Sequence, residues 1–115
     1  MKIKRIPYVI YDFDLIIFTG GTEKEISKYL KSIVPDDVED EVDEIDFKSR
    51  GYTFMFSSGQ TIIRFGKDSN MGTVAHEIFH AAEFLMRRLR MTLSDDSSEA
   101  YAYLIGYITN QYYQK

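Results

Sequence analysis

His76-Glu77-Ile78-Phe79-His80 contains the only two histidines of the chain, and their spacing suits a shared metal ion. Each residue of an α-helix advances about 100° and 1.5 Å, so His76 and His80 lie about 40° apart and about 6 Å along the axis. Both imidazoles can then meet one ion, and zinc is the metal this arrangement on a helix suits. Glu77 lies about 100° from His76. That makes it a poor co-ligand but lets its carboxylate reach water on the open side of the ion, where it can act as general base. The implied chemistry is zinc-dependent hydrolysis with one Zn2+ per chain. Catalytic zinc normally takes three protein ligands and leaves one position for water, so a third ligand must come from another element.

Glu99 is the candidate for that third ligand. It follows His80 after eighteen intervening residues and falls in the first turn of the next helical pattern. A second role competes locally, because Asp96-x-x-Glu99 also fits a capping pattern and acids favour helix N-termini. Ala102 and Gly106 lie near the Glu99 face and would let this helix approach the His76 helix closely. Glu83 lies on the His76 side and could be a ligand or support one, but Arg87 stands at i+4 in the favourable acid-then-base order, so a surface ion pair is expected. Arg87, Arg88 and Arg90 read as a solvated face that suits the helix dipole. A hydrolase also needs an oxyanion donor. Of the nearby phenols Tyr101, Tyr103 and Tyr107, Tyr103 is best placed, one turn after Glu99.

These residues need elements to hold them. Val74, Ala75, Ile78, Phe79, Ala81, Ala82, Leu85, Met86 and Leu89 fall on one broad arc of a helix over 70–90, which is its expected core face. His76, Glu77, His80, Glu83 and Arg87 lie on the other side, facing a groove or solvent. A second helix is expected over 94–114. Upstream, residues 3–10 and 15–18 read as two strands of a hairpin. Thr22-x-x-Glu25 opens a helix that Pro35 stops, with Ile26, Tyr29, Leu30 and Ile33 at helical spacing. Residues 51–56 and 61–65 read as strands joined around Ser58-Gly59, with Tyr52, Phe54 and Phe56 on one face. The order ββαββαα predicts a single α+β domain over residues 1–115, a small and largely antiparallel sheet with helices on one face.

Composition narrows the function further. The 115 residues hold no cysteine, which excludes disulfides and thiolate metal sites. Residues 36–46 carry eight acids in eleven positions, while the other residues carry 14 basic and 10 acidic side chains, a net +4. The acidic run reads as a solvated loop, or as a short amphipathic helix through Val38, Val42 and Ile45. It contains no glycine for the sharp turn of a calcium loop. A pI near 5.1 disfavours nucleic acid as a partner, and no apolar run is of membrane-spanning length. Residues 1–15 do not read as a signal peptide, because Asp12 and Asp14 interrupt the apolar run. A cytoplasmic location is therefore expected, with no membrane partner.

The segment Gly72-Thr73-Val74-Ala75-His76-Glu77-Ile78-Phe79-His80-Ala81-Ala82, followed by Ser94-Asp95-Asp96-Ser97-Ser98-Glu99-Ala100-Tyr101-Ala102-Tyr103-Leu104-Ile105, resembles the gluzincin-type zinc metallopeptidases. It is most similar to small phage and prophage proteins of that type. The resemblance covers roughly the C-terminal 45 residues and implies a minimal zincin-like fold, with His76, His80 and Glu99 as ligands and Glu77 as base. It also implies a protein or peptide substrate, aligned as an added strand along a sheet edge that borders the cleft. The strand over 61–65 is the natural candidate for that edge. No chain remains to build a second lobe, so the cleft should be open and shallow. Limited cleavage of one partner follows from that shape, and so does its alternative, a non-catalytic zincin-like protein that binds a host protein.

Overall fold

The computed structural model describes residues 1–8 and 11–114. Strands β1 (Lys2–Ile6), β2 (Leu15–Thr19), β3 (Gly51–Met55) and β4 (Thr61–Phe65) form one mixed sheet in the order β1-β2-β4-β3. β1 pairs antiparallel with β2 and β3 antiparallel with β4, whereas β2 and β4 run parallel. The sheet is thus antiparallel in two of its three pairings. The parallel pairing requires a crossover, made by α1 (Glu23–Ile33), a 3-10 helix (Asp36–Glu44) and β3 itself. Two helices follow, α2 (Met71–Arg88) and α3 (Ser98–Tyr113), so the domain is α+β with the expected element order. Residues 9 and 10, included in the first expected strand, lie outside the described residues.

Leu15, Ile16, Ile17 and Phe18 are all buried, as a near-continuous apolar strand should be when both its faces are covered. α2 and α3 pack together on one face, over Leu15, Ile17, Ile63 and Phe65. The other face is covered too. Ile26 and Leu30 of α1, with Val38, Val42 and Ile45 of the acidic segment, close over Ile16, Phe18 and Ile62. The expectation of helices on one face therefore holds for α2 and α3, while the apolar stripes of α1 and the 3-10 helix occupy the second. Tyr52, Phe54 and Phe56 share that second face.

Local signals set most boundaries. Thr22 and Glu25 form the reciprocal capping box that starts α1, and Asn70 caps α2 by accepting the Thr73 backbone N–H at 2.9 Å. Gly59 takes a φ of +109° in the β3–β4 turn, where a side chain would be strained. Among the described residues no helix is long and apolar enough to cross a membrane.

α2 ends in a Schellman motif. The Met91 N–H donates to the Met86 carbonyl at 2.8 Å and the Arg90 N–H to the Arg87 carbonyl at 3.0 Å. The residue at the turn is Arg90, at φ +60°, a left-handed conformation that glycine adopts without penalty. Arg90→Gly should raise stability by about 0.5–1 kcal/mol. Urea unfolding checks this, and an unchanged or lowered midpoint would show that the motif carries no strain.

Candidate metal centre

His76 and His80 converge as the helical spacing requires. Their Nε2 atoms lie 3.1 Å apart, close to the roughly 3.4 Å that two imidazoles span when both bind one ion at about 2.1 Å with a tetrahedral angle. His76 is largely exposed and His80 about half-buried. The rings open into a cleft of about 430 Å3 between α2 and the start of β3. Gly51, Tyr52 and Thr53 form its β3 wall, and Glu83, Phe84 and Asp46 complete its rim.

Glu77 is the one polar residue of the motif that the structure buries, at 6% exposure. The sequence places it on the polar side of α2, and the structure adds the reason it is covered: β3 lies along that flank. The Thr53 hydroxyl donates to Glu77 Oε1 at 2.7 Å, leaving Oε2 on the histidine side, 3.9 Å from His76 Nε2. One carboxylate oxygen is therefore fixed by the sheet and the other faces the cleft. Ala75 is exposed and Phe79 half-buried, so the true core stripe of α2 is narrower than the arc read from sequence: Val74, Ile78, Ala81, Ala82, Leu85 and Met86.

Glu99 and Tyr103 are not brought to this cleft. Glu99 is exposed in the first turn of α3, and Tyr103, 76% exposed, borders an apolar hollow on the other flank of α2, with Met86, Leu89 and Leu104. The cause is the rotation of α3. Tyr101 and Ile108 are buried, and Leu104, Ile105 and Tyr112 pack against the α2 side of the core. Fully burying an aliphatic side chain is worth about 1.5–3 kcal/mol, and that preference turns the opposite face outward. Ala102 and Gly106 are exposed with Glu99, and a Cβ on Gly106 would meet nothing within 4 Å, so the small residues do not mediate close helix packing. Tyr101 also anchors the start of α3 beside the end of α2 by donating to the Met91 carbonyl at 2.7 Å. α2 runs eight residues past His80 to Arg88, about 12 Å, which separates that anchor from the histidines. Among the described residues, no group of three His, Cys, Asp or Glu side chains is gathered to hold an ion.

The cleft contains residues the sequence reading left out. Asp46, at the end of the acidic run, accepts the Lys48 N–H at 2.7 Å and the Ser49 N–H at 3.3 Å, and chiefly the first of these holds its carboxyl below the usual range. Asp-x-Lys-Ser is a turn signal visible in sequence, but its approach to the histidines is tertiary. Tyr52 is the tyrosine that lines the cleft. The edge strand here is β3, not the 61–65 strand expected to border the cleft: β4 lies between β2 and β3. Arg50 pairs with Gly66 and Phe56 with Gln60 through backbone bonds to the β4 side, so alternation turns the N–H and C=O of Thr53 and Met55 to the free edge. The Gly51 carbonyl accepts the Ser49 hydroxyl at 2.9 Å.

No protein-family model, curated protein or solved structure matches the chain.

Thr53→Val keeps the shape of the side chain but removes the donor to a buried carboxylate, which costs about 1–3 kcal/mol. Denaturant unfolding of the variant should show a loss of that size. A neutral or stabilising result would mean that Glu77 is not held by β3.

Proposed function

We propose that this protein is a cytoplasmic zinc-dependent metallopeptidase that makes a limited cut in a specific intracellular protein. The observation that carries the reading is the convergence of the His76 and His80 Nε2 atoms beside a carboxylate already positioned by Thr53. His76 and His80 would hold the ion. When bound, zinc supplies Lewis acidity, making water acidic enough to lose a proton near neutral pH and polarising a carbonyl oxygen.

The remaining chemistry belongs to the chain. Glu77 Oε2 takes the proton of the attacking water as its oxygen bonds to the peptide carbon, and returns a proton to the leaving amine as the C–N bond breaks. Thr53 keeps Glu77 from rotating away between the two transfers. The free edge of β3 offers the Thr53 and Met55 backbone groups to an extended substrate, which places a peptide plane next to Glu77. Little else grips the substrate in so open a cleft, and this favours one well-matched partner over general proteolysis.

A non-catalytic role in binding a host protein is the second reading, favoured by the exposure of Tyr103 and of the acids on the 3-10 helix. The two readings part at Glu77. Protein purified without added metal should contain about one zinc per chain by elemental analysis, and His76→Ala or His80→Ala should lose it. Glu77→Gln should keep zinc but lower cleavage about 10^2–10^4-fold, scored as new N-termini in a host-cell extract. Absence of zinc would refute the enzyme reading, and zinc with no Glu77-dependent cut would replace it with the binding role.

A further inference from the structure

The two histidines are not equivalent, and the difference lies in what holds each ring. His80 Nδ1 lies 3.3 Å from Glu83 Oε1, and the same carboxylate oxygen is 3.6 Å from Arg87 Nη2. Phe84 lies beside the His80 ring at an interplanar angle of 27°, and the Arg87 guanidinium stands over Phe84 at 5.6 Å. Residues 80, 83, 84 and 87 thus form one cluster along two turns of α2. His76 has no comparable support. Its ring is exposed, and its polar neighbours among the described residues are His80 Nε2 and, at 3.9 Å, Glu77 Oε2.

We propose that Glu83 is a positioning residue that fixes His80 with its proton on Nδ1, making His80 the preformed metal ligand and His76 the one that must change tautomer to bind. An ionised carboxylate only accepts hydrogen bonds, so contact with Glu83 requires a proton on His80 Nδ1, and in the neutral imidazole that leaves the Nε2 lone pair facing the cleft. Arg87, 3.6 Å from the same oxygen, helps to keep Glu83 turned toward the ring. With His80 Nε2 unprotonated, a stable contact at 3.1 Å requires His76 Nε2 to carry the proton and donate it. A metal takes the place of that proton, so His76 must move its own to Nδ1 while His80 stays as it is. An ion therefore meets one ligand already oriented and one that reorganises.

This assignment deepens the metal reading and rests on it only for its consequence, since the tautomers exist in the metal-free protein. Long-range 15N–1H correlation spectra of that protein should show His80 protonated at Nδ1 and His76 at Nε2. Adding Zn2+ should change the His76 tautomer alone. Glu83→Gln keeps an acceptor and should keep the His80 tautomer. Glu83→Leu should release it, and should weaken Co2+ binding in a competition titration by about 10–100-fold, with helical circular dichroism confirming that the variant is folded. A wild-type His80 protonated at Nε2, or a Leu variant with wild-type tautomers and cobalt affinity, would overturn the proposal. If the tautomers are as assigned but neither zinc nor cobalt binds, the enzyme reading fails and the positioning role of Glu83 toward His80 stands.

Discussion

A Cβ on Gly51 would stand 2.8 Å from Thr73 Cγ2 and 3.0 Å from Glu77 Cγ, so α2 can lie this close to β3 because the strand begins without a side chain. Two residues later the Thr53 hydroxyl spans the same gap to Glu77. The site depends on this close seam. It buries Glu77 against the sheet and brings the free backbone edge of β3 alongside. The two histidines, one helical face away, are left at the mouth. Were the seam wider, the motif would be a polar stripe on a surface helix.

What fixes the seam is the rest of the fold. β2 and β4 are buried on both faces, so the sheet is a rigid middle layer, and each helix layer is seated by its own apolar cluster. The antiparallel β3–β4 hairpin carries β3 to the outer edge, and only five residues separate the end of β4 from α2, which Asn70 caps. The acidic segment has a structural place in this scheme. Its valines cover the far face while its last acid, Asp46, enters the rim of the cleft.

Much of this was legible in sequence because it is local. Thr22 and Glu25, Pro35, the Ser58-Gly59 turn and the alternation of β3 act within a few residues, and the helical spacing of His76 and His80 determines their convergence whatever surrounds them. Three features were not legible, each for a tertiary reason. Strand order depends on pairing between distant segments, so the sequence points to 61–65 as the cleft-bordering edge, whereas that edge is β3. The rotation of α3 is poorly marked because aromatic and apolar residues run around much of it, from Tyr101 and Tyr103 to Ile108. A capping-like acid at Glu99 and small residues at Ala102 and Gly106 then suggested a buried face that is in fact outward. Glu83 could be read as an ion pair with Arg87, which it makes, but its contact with His80 depends on side-chain rotamers that spacing does not give.

The central claim is that this seam presents a two-histidine metal centre. X-ray absorption at the zinc edge, on protein loaded with one equivalent of zinc, tests it most directly because scattering from imidazole rings counts the histidines on the metal. Two imidazoles with oxygen completing the coordination shell is the predicted result. One imidazole, none, or a fully hydrated ion would contradict the account.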